Sequence, residues 1–202
     1  RLTLLAALLA SATATTAATA PAVQVPTGNG TRLELSESPG SVDNIPQEGG
    51  LSLQAIYEQN IDSVVSIRCA LRDGSASGTG VIFSKLGYIV TNSHVVENAR
   101  SISVLLTDGR EFPAAIVGTD TVSDLAVLYV QANDLTPAEF GNSGSLRVGD
   151  AVAAIGDPLG TEFRGTLTDG IVSAINREMN ISGRNMTLIQ TNAALNSGNS
   201  GG

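Results

Sequence analysis

The chain has 202 residues, a formal charge of −8 and 42 % hydrophobic residues. That length allows one large domain or two small ones, and the apolar fraction suffices for a buried core. The acidic balance argues against nucleic acid as a partner and against a polybasic membrane surface, because both need a cationic face.

Residues 1–20 differ in composition from the rest. Arg1, the apolar run Leu2 to Ala10 and the small residues Ser11 to Ala20 follow the pattern of a secretory signal, with a cut expected after Ala18-Thr19-Ala20. The run is short for a bilayer span, so export to the periplasm, cell envelope or exterior is expected rather than a permanent anchor. Residues 21–50 are rich in Pro, Gly, Ser and Thr, with acids at Glu34, Glu37, Asp43 and Glu48. They lack periodicity and read as a disordered, flexible linker.

From Leu51 to Asn60 the apolar positions Leu53, Ile56 and Tyr57 recur at helical spacing, which predicts a short leading helix. Strand-like runs follow at Val64–Ala70, Gly80–Phe83, Tyr88–Thr91, Ser101–Leu106, Glu111–Val117 and Leu125–Val130. Residues Asp73 to Gly78 read as a loop, while Lys85-Leu86-Gly87 and Thr107-Asp108-Gly109-Arg110 read as hairpin turns. Six short strands with close turns predict a small closed barrel, so residues 51–142 are expected to form the leading helix and an N-terminal β-barrel. The turn-rich stretch 131–147 marks a crossing into a second unit, 143–202. There Ala151–Ile155, Thr166–Ile175 and Met186–Gln190 read as strands, and the C-terminal β-barrel they begin is expected to be incomplete in this chain. The fold class is all-β.

Cys69 is the only cysteine and His94 the only histidine. They cannot make an intrachain disulfide or a zinc cage, and neither a metal nor a cofactor is called for. Within Val-Val-Ser-Ile-Arg-Cys-Ala, Cys69 reads as a small buried hydrophobe.

Gly198-Asn199-Ser200-Gly201-Gly202 can present a serine hydroxyl on a tight turn, with amides free to face a developing oxyanion. One histidine means one imidazole base, and Asp124, just ahead of Leu125-Ala126-Val127-Leu128, offers a carboxylate to orient it. Asp120 and Asp108 compete for that role. Each feature also has a plainer reading: a glycine-rich tail, a helix-start histidine, an aspartate ending a turn. Chain order separates the enzyme classes. Gly198-x-Ser200-x-Gly202 fits the nucleophile elbow of the α/β-hydrolases, but in that class the acid and histidine follow the serine. Here both precede it.

Several segments in sequence order resemble the chymotrypsin/trypsin-like double β-barrel serine proteases, and more closely their high-temperature-requirement (HtrA/Deg/Do) branch. They are Gly78-Thr79-Gly80-Val81-Ile82-Phe83, Gly87 to Val96, Asp124 to Leu128, Ala154 to Gly160, Gly170 to Ala174 and Gln190 to Gly202. The resemblance implies a serine endopeptidase acting through an acyl-enzyme on unfolded or damaged proteins. Ser200 would be the nucleophile, His94 the general base and then acid, and Asp124 the partner of the imidazole. The amides of Gly198 and Ser200 would form the oxyanion hole. Ala194 and Leu195 would line a shallow apolar substrate pocket without a counter-charge for Lys or Arg.

The same resemblance implies a homotrimer to which residues 51–60 contribute, a peptide-binding PDZ domain further along, and no turnover by the segment ending at Gly202 alone. Asn192 stands where many relatives carry Asp. Asn199 stands where pancreatic-type relatives carry an Asp that pairs with a freed N-terminus, which argues against that activation and leaves ordering of the loops at 156–165 and 195–198 as the alternative. A non-cleaving, chaperone-type relative is the alternative function, against which the complete set of His94, Asp124 and Ser200 argues.

Overall fold

The computed structural model describes residues 23–26, 51–157, 165–181, 183–196 and 198–202. The expected signal at 1–20 lies outside the described residues, as does the expected linker except for Val23 to Pro26, which form no regular element. Helix α1, Leu53–Asn60, is capped by Ser52, whose hydroxyl accepts the Ala55 amide at 3.1 Å. Among the described residues no helix is long and apolar enough to cross a membrane.

Six strands then close into a barrel. They are β1 Val64–Leu71, β2 Gly74–Ile82, β3 Tyr88–Asn92, β4 Ser101–Leu105, β5 Glu111–Asp120 and β6 Leu125–Val130, arranged in the order β1-β2-β3-β6-β5-β4. A short helix, α2 Ser93–Val96, follows β3. Strand alternation explains the interior. Val65, Ile67 and Cys69 point inward from β1, Ile102 and Val104 from β4, and Ala126, Leu128 and Val130 from β6, forming one continuous buried cluster. Cys69 is the buried hydrophobe expected, and burial pushes its thiol up to about 11.

A second, three-stranded antiparallel sheet follows, with β7 Ala151–Gly156, β8 Thr166–Ile181 and β9 Arg184–Thr191 in sequential order. The all-β, trypsin-like architecture is thus the one expected. Two boundaries differ most. Residues Gly74 to Gly78, read as loop, form the first half of β2, because the register from Leu71↔Gly74 to Ile67↔Gly78 continues the ladder through residues of low strand propensity. Strand β8 also runs well past Ile175: Arg177 to Ile181 pair with Leu188 to Arg184, so polar residues extend the β8–β9 hairpin.

Candidate active site

Asp124 sits at the end of the tight turn between β5 and β6. Asp120 shapes that turn, accepting the Val122 amide at 2.9 Å and the Ser123 hydroxyl at 2.6 Å. The chain leaves it with Asp124 in the left-handed region, φ 57°, which Asp tolerates better than most side chains. This aims the carboxylate at the β3–α2 junction. Its Oδ2 lies 2.7 Å from His94 Nδ1, and its Oδ1 accepts the His94 amide and the Ser93 hydroxyl, each at 3.1 Å. Its carbonyl accepts the Ser93 amide at 3.0 Å and the Asn92 side-chain amide at 2.9 Å. His94 does lie in the first turn of α2 and Asp124 does end a turn, but Asn92 and Ser93 bond Asp124 and no side chain caps the helix.

Electrostatics follow from that geometry. Burial, with 8 % exposed, pushes the Asp124 carboxyl up, but the hydrogen bonds from the His94 ring and backbone, the attraction of that ring and the Ser93 hydroxyl outweigh it. The carboxyl is held below its ordinary value. An ionised carboxylate only accepts, so His94 Nδ1 carries the proton of this bond, and in the neutral ring the lone pair is then on Nε2. The histidine side chain is 46 % exposed, which leaves that nitrogen open to a reactant. The competing acids are committed elsewhere: Asp120 to its own turn, and Asp108 to Arg110, whose Nε lies 2.6 Å away.

Ser200 reaches the same region from the other end of the chain. Gly198 at φ 101° and Gly201 at φ 92° bend the backbone on either side of it, conformations that suit glycine alone. Within the turn the Asn199 amide donates to the Asn196 carbonyl at 3.1 Å and the Gly202 amide to the Asn199 carbonyl at 2.9 Å. Among the described residues neither the Gly198 nor the Ser200 amide has an acceptor. No hydrogen bond joins the Ser200 hydroxyl to His94 among them either. The two sides do share a neighbour: a Cβ on Gly78 would lie 2.6 Å from the Val95 side chain, next to His94, and 3.2 Å from the Ser200 carbonyl.

Of the residues read as a substrate pocket, Leu195 is 59 % exposed, and Ala194 is fixed through its carbonyl, which accepts the Thr168 hydroxyl at 2.9 Å. Ser197, beside them, lies outside the described residues. Asn192 accepts the Ile171 amide through its side chain at 2.8 Å, a tie between β8 and the segment leading to the serine. Among the described residues no group of three His, Cys, Asp or Glu side chains could hold a metal ion.

Sequence reasoning missed the residues beneath the serine turn. The Thr79 amide donates to the Ser200 carbonyl at 2.8 Å, and its hydroxyl donates to the Gly198 carbonyl at 2.8 Å. Asp157, also buried, accepts the Ser66 hydroxyl and, at 2.8 Å, the Gly165 amide. A signal was available: Thr79 stands between two glycines inside a strand, a pattern that marks close approach of another backbone.

The sequence pattern of the trypsin-like peptidase domain matches residues 78–202. The chain is 49 % identical over 136 residues to the serine protease Do-like HtrA of Bacillus subtilis (strain 168), a match covering 63 % of this chain and 30 % of that protein. It is 48 % identical over 131 residues to a probable periplasmic serine endoprotease, DegP-like, of Hahella chejuensis (strain KCTC 2396), covering 65 % and 27 %. Among solved structures, the HtrA-type protease AlgW with a tripeptide superposes with a TM-score of 0.68 at 39 % identity, covering 71 % of this chain and 47 % of that one. The chain therefore spans less than half the length of each of these relatives.

Proposed function

The chain belongs to the trypsin-like peptidase family, as a homologue of the HtrA and DegP serine proteases, and we propose that it supplies the catalytic residues of an exported serine endopeptidase. The single observation that carries this reading is the 2.7 Å contact between His94 Nδ1 and the buried Asp124 carboxylate, in the barrel whose Thr79 amide donates to the Ser200 carbonyl.

In this mechanism the Ser200 hydroxyl attacks the scissile carbonyl carbon while His94 Nε2 takes its proton. The carbonyl π electrons move onto oxygen, and the amides of Gly198 and Ser200 receive that charge. They are suited to do so because neither spends its proton on a described acceptor. Asp124 stabilises the imidazolium and fixes its tautomer. His94 then returns the proton to the departing amine, leaving an acyl-enzyme on Ser200. Water, deprotonated by the same nitrogen, releases the acid and regenerates the serine.

Unfolded or damaged protein chains are the substrates we assign. Ala194 and Leu195 present an apolar wall without a carboxylate, so cleavage follows aliphatic residues, which become accessible when a substrate unfolds. The signal-like residues 1–20 and the periplasmic designation of the Hahella chejuensis relative support an envelope location. Leu51 and Leu53, exposed at the start of α1, support assembly with further copies through that end.

The test uses the full-length protein, a fluorophosphonate probe and an unfolded protein substrate. Labelling and cleavage are expected from the native sequence, with cuts mapped after Val, Ala, Ile or Leu, and neither from Ser200→Ala. Turnover by Ser200→Ala at the native rate would remove the assignment, and a dominance of cuts after Lys or Arg would remove the proposed pocket.

A further inference from the structure

The reaction above uses no residue of β2, yet β2 holds a fully buried hydroxyl aimed at the nucleophile turn. Thr79 is 0 % exposed and lies in a strand whose next residues, Val81 and Ile82, are core. A hydroxyl in such a place must find partners. This one makes two bonds: it donates to the Gly198 carbonyl at 2.8 Å and accepts the Asp157 amide, at the end of β7, at 2.9 Å. The Thr79 backbone adds two more, its amide donating to the Ser200 carbonyl at 2.8 Å and its carbonyl accepting the Thr91 hydroxyl at 2.6 Å. Thr91 lies on β3, three residues ahead of His94. Gly201 closes over this last bond so tightly that a Cβ there would meet the Thr79 carbonyl at 2.1 Å and the Thr91 hydroxyl at 2.3 Å.

We infer that the Thr79 side chain is a positioning residue that sets the direction of the two oxyanion-hole amides, an inference that rests on the reading of Ser200 as the nucleophile. The peptide unit joining Gly198 to Asn199 is planar, and both of its polar ends are engaged. Its carbonyl takes the Thr79 hydroxyl, and its N–H, on Asn199, goes to the Asn196 carbonyl at 3.1 Å. The amides assigned to the oxyanion hole stand immediately before and after this unit. Gly198, with φ 101° and no side chain, offers little resistance to rotation of the unit. Without the Thr79 hydroxyl, only the Asn196 bond opposes a turn that would swing the carbonyl towards the hole. The same oxygen ties the turn to the second sheet through Asp157, so one atom joins β2, β7 and the serine.

The experiment compares Thr79→Val, which keeps the shape and deletes the hydroxyl, with Thr79→Ser, which keeps the hydroxyl, in the full-length protein. Expected for Thr79→Val is a fall in kcat of about 100-fold, as for a misplaced reacting group, with KM nearly unchanged and fluorophosphonate labelling slowed in parallel. Thr79→Ser is expected to restore kcat to nearly the native value. Native kcat in folded Thr79→Val, or a loss accounted for by the unfolded fraction alone, would overturn the inference. Where Thr79→Val does not fold, Thr79→Cys, with its weak S–H donor, takes its place. An intermediate kcat at unchanged Tm then supports the inference, and native kcat overturns it. Ser200→Ala run alongside separates the two readings. Its inactivity beside a fully active Thr79→Val would overturn this inference alone, whereas its activity would overturn the proposed nucleophile.

Discussion

The closed barrel of β1 to β6 and the open sheet of β7 to β9 handle their parts of the site in opposite ways. The barrel holds the one continuous buried cluster described, and it positions His94 and Asp124 with hydrogen bonds made within that unit. The second sheet exposes Ile171, Ile175, Met179 and Ile181 along β8, and Leu195 beyond it. Its serine turn takes its external backbone bonds from Thr79, in the other unit. His94 and Asp124, the proposed base and carboxylate, are thus built into the barrel, whereas Ser200, the proposed nucleophile, is held against it through Thr79. A site divided in this way would depend on the barrel's own bonds on one side and on contact between segments on the other.

The sharpest way to probe that division is through the base. His94→Ala should reduce kcat by on the order of 10⁶-fold, as Ser200→Ala should, because the members act as a unit. Asp124→Asn should cost about 10⁴-fold by supporting the wrong tautomer. Thermal unfolding should shift more for Asp124→Asn than for Ser200→Ala, since only the carboxylate is built into the barrel's bonds. Steady-state kinetics and melting curves on full-length protein check both, and equal Tm losses would erase the distinction between built-in and docked residues.

A smaller effect concerns packing. Leu128, at 0 % exposure in the barrel, should lose about 2–5 kcal/mol of stability when changed to Ala, through lost burial and the cavity left behind. Met179, 51 % exposed on β8, should change stability by no more than about 0.5 kcal/mol. Urea midpoints measure the contrast. A large loss for Met179→Ala would show that its face is covered in the full-length protein.

The smallest effect is on the acid limb of stability. The folded carboxyl of Asp124 is held below its ordinary value, so its contribution is fully present above the unfolded value of about 3.9. It is lost as pH falls through the lower, folded value. The stability difference between the native protein and Asp124→Asn should therefore shrink on acidification from about pH 6 to about pH 2. A constant difference would mean that the carboxylate's charge contributes nothing to the barrel.

The same contrast governs what could be read from the sequence. Strand β6, Leu125–Val130, matched its expected bounds because alternation and the turn ahead of it are local signals. The Asp-Gly turn between β4 and β5 was legible for the same reason. Gly74 to Gly78 were not, since Ser, Ala and Gly carry little strand preference and enter β2 only through pairing with β1. Of the candidate site, His94 stood out by being unique and Ser200 by its glycines. Thr79 gave only the faint mark of its flanking glycines, because its partner Gly198 lies 119 residues away and no local periodicity encodes such a contact.

That separation along the chain has a consequence for biogenesis. Synthesis runs from the N-terminus and folding follows it unit by unit, so the segments bearing His94 and Asp124 emerge before Ser200. On the proposed roles, a growing polypeptide would hold its base and carboxylate with no hydroxyl to activate, and would not cut itself or its neighbours during manufacture. Competence then requires at least that the Gly198–Gly202 turn settle against Thr79. Ribosome-stalled chains of increasing length, probed with fluorophosphonate, would date that arrival.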